Sequence, residues 1–139
     1  SLVPVSFDGN NFIHLIENKI LSKFPSTINC KVQIHPEDEI NNTSNDLKFN
    51  VYRILQNLAA NIIKHSKAKN ASLQVIGHKD HLTIIVEDDG VGFNTNNTNA
   101  GVGLDIIEKR ALLFDGKVEI DSKKGSGSTI IVDLPYKVI

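Results

Sequence analysis

The sequence predicts an α+β two-layer sandwich, with three helices on one face of a mixed sheet of about five strands. Three observations lead there. Helical and strand-like apolar spacings alternate along the chain. The strands come mostly as adjacent pairs joined by short turns, which favours hairpins over a doubly wound parallel sheet. With 139 residues, 40% of them hydrophobic and 22% charged, the chain has the size and composition of one globular domain spanning 1–139.

The elements follow in order. Phe12, Leu15, Ile16, Ile20 and Phe24 recur at helical spacing, so a helix is expected from about Asn11 to Phe24, closed by Pro25. Val32 and Ile34 alternate with Lys31 and Gln33 in a short strand over Cys30 to His35, and a polar, acidic loop follows. Val51, Ile54, Leu55, Leu58 and Ile62 form one stripe on a long helix from about Asp46 to His65. Ala71 to Ile76 and Leu82 to Glu87 read as a hairpin across Gly77-His78-Lys79-Asp80, with Leu82, Ile84 and Val86 facing one way. Gly103 to Phe114 is amphipathic through Leu104, Ile107, Ala111 and Phe114, with Gly116 as its C-terminal cap. Lys117 to Asp121 and Ser128 to Leu134 form a last hairpin over a Gly-Ser-Gly turn.

Composition excludes several classes of function. Lys+Arg 15 against Asp+Glu 16 leaves a net charge of -1, which argues against a broad nucleic-acid-binding face. Cys30 is the only cysteine, so no internal disulfide is possible, and a cytosolic setting fits. No apolar run is long enough to span a bilayer, no charged-then-apolar leader opens the chain, and no direct membrane contact is expected. The abrupt start at Ser1-Leu2-Val3-Pro4 reads as a piece of something longer.

Four constellations carry chemistry. On the long helix, Asn57, Asn61, Lys64 and His65 make a polar ridge beside the apolar stripe. Lys64 and His65 also suit the C-terminal end of the helix dipole. An amide oxygen is a hard ligand suited to Mg²⁺. At a strand end stands Glu87-Asp88-Asp89-Gly90-Val91-Gly92-Phe93, where a carboxylate can accept from an exocyclic amine such as that of adenine. Its glycines allow close backbone approach and positive φ. Gly101-Val102-Gly103-Leu104 opens a helix, where free N–H groups and the positive dipole end favour phosphate. It is neither a Walker loop nor a dinucleotide fingerprint. The last, Gly125-Ser126-Gly127-Ser128-Thr129, is a tight turn whose Thr129 offers a hydroxyl.

Each signal alone is an ordinary helix edge, turn or hinge. In this order and spacing they resemble the N, G1, G2 and G3 boxes of the GHKL ATP-binding superfamily, whose fold is the Bergerat fold. The segment Tyr52-Arg53-Ile54-Leu55-Gln56, followed by Asn61 to Ala68, is similar to the catalytic and ATP-binding domain of two-component sensor histidine kinases, in the nitrate-sensor-like subfamily with a short lid. Leu2-Val3-Pro4 resembles the junction that follows that subfamily's dimerisation helices.

The resemblance implies ATP and Mg²⁺ as cofactors. Asp88 would take the adenine amine, with Thr129 supporting it through a water. Asn61 would ligate Mg²⁺. Lys64 and His65 would lie toward the phosphates. Gly90 and Gly92 would shape the pocket, Gly101, Gly103 and Leu104 would form the phosphate-facing helix start, and residues 93–100 would be the lid. The partners implied are a dimerisation domain carrying the acceptor histidine, and a response regulator. The γ-phosphoryl group would pass to that histidine and then to the regulator, in the cytoplasm of a cell whose kinase is anchored elsewhere along its chain.

The sequence departs from the family pattern in three places. Where the subfamily carries a Glu four residues before the metal-binding Asn, this chain has Asn57, which predicts little intrinsic ATP hydrolysis. Residues 94–100 hold no Lys or Arg. None of His14, His35, His65, His78 and His81 stands in an acceptor context, and no metal-ligand spacing links them, so the chain alone should not phosphorylate itself. These departures keep two alternatives open: a degenerate nucleotide-sensing or docking module, and an anti-sigma-type serine kinase of the same superfamily.

Overall fold

The computed structural model describes residues 12–93 and 103–136. Its element order is α1 (Phe12–Lys19), β1 (Asn29–His35), α2 (Glu37–Asn41), α3 (Asn45–Asn61), β2 (Asn70–Gly77), β3 (His81–Asp88), α4 (Leu104–Leu112), β4 (Lys117–Ser122) and β5 (Ser128–Pro135). A 3₁₀ turn at Leu21–Lys23 follows α1, and a π turn at Ile62–Ser66 continues α3. Among the described residues no helix is long and apolar enough to cross a membrane.

The five strands form one mixed sheet in the order β1-β2-β3-β5-β4. β1 and β2 run parallel, joined by the crossover through α2 and α3; every other neighbouring pair is antiparallel. The register aligns apolar side chains across all five strands. Ile34, Val75, Ile84, Val132 and Val118 make one row, and Val32, Leu73, Val86, Ile130 and Ile120 the next. Strand alternation puts both rows on one face, where the helices bury the central residues and Val32, Val118 and Ile120 on the edge strands are partly covered. Gln33, Gln74, Ile85, Ile131 and Glu119 form a row of the opposite face, and none of them is fully buried. The predicted two-layer α+β fold is therefore present, with a parallel edge pair that the hairpin pattern did not disclose.

Helix bounds differ from expectation for local reasons. Pro25 forces Phe24 into extended backbone, and the chain tightens beforehand: Lys23 N–H donates to the Ile20 carbonyl and Phe24 N–H to that of Leu21, both three residues back. The expected acidic loop contains the short α2. Glu37, Asp38 and Glu39 sit in its first turn, where the dipole favours them, and Ile40 anchors it in the core. One apolar residue makes no periodic signal. α3 starts one residue early, capped by Ser44, whose Oγ accepts from Leu47 N–H at 3.1 Å.

α4 ends in a Schellman motif. Gly116 N–H donates to the Ala111 carbonyl at 2.8 Å and Asp115 N–H to that of Leu112 at 3.1 Å. The left-handed residue is Asp115, at φ 53, rather than the predicted glycine. Gly116 is required for a different reason: a Cβ there would strike the Asp133 carbonyl oxygen and the Leu134 side chain of β5.

Candidate functional site

The C-terminal end of β3, the start of β5 and the end of α3 meet around a cavity of about 90 Å³. Leu58, Ile62, Val86, Leu104 and Ile130 give it apolar walls. Asn61, His65, Ser66, Asp88 and Ser128 supply its polar edge. An apolar slot with a few placed polar groups suits a flat heteroaromatic ligand.

Asp88 and Asp89 are consecutive but play separate parts. The Asp88 carboxylate faces the cavity and is anchored at both oxygens. Oδ1 accepts from Gly90 N–H at 2.8 Å, and Oδ2 accepts from the Ser128 hydroxyl at 2.6 Å. Each carboxylate oxygen retains acceptor capacity after one such bond. Asp89 turns to β2: its Oδ1 accepts from Lys69 and Asn70 N–H at 2.9 Å each, and Oδ2 from Asn70 Nδ2 at 2.8 Å. Those bonds, first the Asn70 backbone amide, then its side chain and the Lys69 amide, hold the exposed Asp89 carboxyl below its ordinary pKa.

Glycines hold the loop after Asp88 against the rest of the molecule. A Cβ on Gly90 would collide with the Ser66 carbonyl, which accepts from Val91 N–H at 2.7 Å. Gly92, at φ 62, faces the carbonyls of Lys123 and Gly127, while Gly125 N–H donates to the Val91 carbonyl. The glycine spacing that sequence reading assigns to ligand approach therefore also clasps the loop to the β4–β5 turn.

α3 does not run on to His65 as a regular helix. After Asn61 it widens into the π turn, and Lys67, at φ 54, ends it. Ser66 Oγ donates to the Ile62 carbonyl at 2.8 Å and accepts from Ala68 N–H at 3.1 Å, so the widened turn is internally bonded. π turns recur at functional sites because they redirect side chains from the helical line. Here the turn contributes Ile62, His65 and Ser66 to the cavity wall.

Of the residues singled out from sequence, Asn61, His65, Asp88, Gly92 and Leu104 line the cavity. Asn57, Lys64, Gly90, Gly103 and Thr129 are not among its lining residues. Asn57 is one turn back along α3, and Lys64 is exposed. Gly103 is the N-terminal cap of α4, at φ 80, its carbonyl accepting from Ile106 and Ile107 N–H. Thr129 pairs with Glu87 and Asp121, on the side of β5 away from Ser128 and Ile130. The hydroxyl on Asp88 is thus Ser128's. Gly101 and residues 94–100 lie outside the described residues, as does the Leu2-Val3-Pro4 junction. Sequence reading missed Ser66 and Ser128 as cavity residues; the strand register opposite Asp88 is the signal that locates Ser128.

Comparison with known proteins gives a consistent picture. The family profile described as histidine kinase-, DNA gyrase B- and HSP90-like ATPase matches residues 47–138. The chain is 35% identical over 85 residues to the sensor histidine kinase ComP of Bacillus subtilis, covering 59% of this chain and 11% of that protein. It is 30% identical over 118 residues to the histidine-protein kinase/phosphatase DegS of the same organism, covering 79% of this chain and 31% of that protein. The chain therefore spans a third or less of these relatives. Among solved structures, the catalytic domain of the histidine kinase ThkA superposes with a TM-score of 0.64 at 18% identity, over 90% of this chain and 88% of that one. The Erythrobacter litoralis EL346 blue-light activated histidine kinase superposes with a TM-score of 0.68 at 16% identity, over 90% of this chain and 39% of that one.

Proposed function

Because the chain belongs to the family of histidine kinase-, DNA gyrase B- and HSP90-like ATPases, we propose that it is the ATP-binding catalytic domain of a protein-histidine kinase. The observation that carries this is Asp88, a carboxylate fixed by Gly90 and Ser128 at the edge of a largely apolar cavity. Such a group accepts from the adenine amine while Leu58, Val86 and Ile130 cover the ring. The triphosphate then leads out past Asn61 toward the start of α4.

The donor set fits Mg²⁺ bound along with phosphates. Among the described residues no three His, Cys, Asp or Glu side chains cluster as a metal cage. Mg²⁺ needs none; it commonly takes one or two protein oxygens and completes its octahedron with phosphate oxygens and water. Asn61, on the cavity wall, offers one such oxygen. Mg²⁺ there would neutralise charge on the phosphates and fix their geometry. Lys64 and His65 stand on the turn after Asn61; His65 lines the cavity, and the exposed Lys64 would bring its charge toward the phosphates. Gly103, the cap of α4, would meet the phosphates through backbone amides, and Gly101, two residues earlier in the sequence, would join it. Phosphoryl transfer needs little covalent help from the protein, and positioning with charge neutralisation is what these residues offer.

The acceptor would be a histidine on the dimerisation domain of the same kinase, and a response regulator would receive the group next, in the cytoplasm. Asn57 stands where hydrolysing members of the superfamily have a carboxylate, and an amide takes no proton from water at neutral pH. An imidazole nucleophile has less need of that help, so Asn57 is compatible with transfer and predicts slow hydrolysis.

Calorimetric titration with Mg-ATP tests the reading. Saturable binding is expected, weakened roughly tenfold or more in Asp88→Asn, because an amide nitrogen then meets the donors that now fix the carboxylate. No saturation at millimolar nucleotide, or undiminished affinity in the variant, overturns it.

A further inference from the structure

Among the described residues, two arginines beside the α3–α4 contact have no opposite charge paired with them. Arg110 of α4 is tied to α3 through Asn50: Asn50 Nδ2 donates to the Arg110 carbonyl at 2.9 Å, and Arg110 Nη1 reaches Asn50 Oδ1 at 3.5 Å. Asn50 is only 3% exposed, so this junction is fixed. Arg53 lies one turn further along α3. Its guanidinium sits 5.2 Å from the Phe49 ring centroid, and Nη1 donates to Gln56 Oε1 at 2.9 Å. Each guanidinium has five N–H donors, most of them unused here. The Nε of both is shielded from water and meets no acceptor. Among the described residues neither has a carboxylate partner. Burial, and then the Arg53 charge, hold Arg110 below its ordinary pKa, as expected where two like charges share a partly dry surface.

The surroundings are apolar. Ile106, Arg110 and Leu113 fall on one helical line, and Ile106 is 46% and Leu113 70% exposed, among the few large apolar side chains that are not covered. The arrangement is a positive centre with apolar flanks. Arg53 precedes Asn61 by eight residues on α3. Leu58, the cavity residue on α3 nearest to Arg53 in sequence, is five residues on, roughly 7.5 Å along the axis, and neither Arg53 nor Arg110 lines the cavity.

We propose that Arg53 and Arg110 form a clip for a carboxylate carried on an amphipathic helix of a protein partner, with Ile106 and Leu113 packing on that helix's apolar side. Guanidiniums grip carboxylates bidentately, and the unused donors are what such a grip employs. A free inorganic anion would answer the charge but leave Ile106 and Leu113 uncovered; a carboxylate borne on an apolar helix face answers both. This surface is distinct from the nucleotide cavity and does not depend on that cavity binding ATP.

Proton–nitrogen correlation NMR of the whole chain tests it, following the Nε–H signals of Arg53 and Arg110. Three probes are added separately: an amphipathic helical peptide with a leucine stripe broken by one Glu, the same peptide with Gln in that place, and inorganic phosphate. The Glu peptide should shift both signals saturably and the Gln peptide should bind at least about tenfold more weakly. Inorganic phosphate, which answers the charge alone, should shift them at least about tenfold more weakly than the Glu peptide. The double variant Arg53→Gln/Arg110→Gln should lose the Glu preference while keeping its affinity for Mg-ATP within about twofold. If that variant does not fold, Arg53→Lys decides, since it keeps the charge and loses the fork; its affinity for the Glu peptide should fall. Equal binding of the two peptides, binding of neither, or the same shifts with phosphate overturns the proposal. A folded double variant that binds Mg-ATP much more weakly assigns the arginines to the nucleotide site and overturns it as well.

Discussion

Adjacent residues of one type can have different duties, and the strand decides which. Asp88, the last residue of β3, shares the side of Val86 and meets the cavity, whereas Asp89, just past the strand, turns to the start of β2. The motif showed that an acidic pair ends β3. It did not show which partner each would find, since Asn70 and Ser128 are far from it in sequence. The same alternation separates Ser128 from Thr129. Asp89 makes a pH prediction. Its carboxyl is held below the ordinary value of 3.8 in the folded chain, so its bonds contribute stability that is whole above the unfolded pKa and is lost as pH falls through the folded one. Thermal unfolding of the parent should therefore lose midpoint below about pH 4. Asp89→Asn should start lower and show a flatter acid limb. The slope left in the variant belongs to groups such as Asp80, which His81 also holds low. Identical slopes in both proteins would rule out Asp89 as a contributor.

Elements were most legible where apolar spacing repeats. The stripe on α3 and the alternation in β2 and β3 located those elements to within a residue or two of their start. Ends were less legible, because they depend on what the backbone meets. The π turn after Asn61 follows from no periodic signal, and α2 has too few apolar residues to make one. The end of α4 shows this most clearly. A glycine was expected in the left-handed position, yet Asp115 occupies it and Gly116 serves clearance from β5. Asp115→Gly should accordingly be neutral to stabilising by roughly 0.5 kcal/mol, relief of the left-handed cost being partly offset by a looser unfolded chain. Gly116→Ala should cost roughly 1–3 kcal/mol, because its methyl group meets a backbone carbonyl. Urea midpoints measure both; a tolerated Gly116→Ala would mean that β5 yields easily.

At the scale of the molecule, the two-layer architecture could be read because hairpins and amphipathic helices both announce themselves in spacing. The parallel pairing of β1 with β2 could not, since it joins Asn29 to Asn70 and no short turn marks it. The proposed role as the donor half of a transfer reaction predicts that the chain, incubated with γ-labelled ATP, takes up no label itself. Label should appear on a separately supplied dimerisation domain and be acid-labile, as phosphohistidine is. Stable label on the chain alone would contradict that division of labour. The parallel edge also bears on assembly and opening. β2 with β3, and β4 with β5, can close across turns of a few residues, whereas β1 gains its neighbour only after α2 and α3 have brought the chain back. The β3–β5 pairing closes a loop of similar length or longer, its partners standing 40 to 54 residues apart (Asp88 with Ser128, His81 with Pro135), but β1 lies at the sheet edge with one strand neighbour, so β1 with α1 should open early. The cavity, built from α3, β3, α4 and β5, can then stand while that edge still comes and goes.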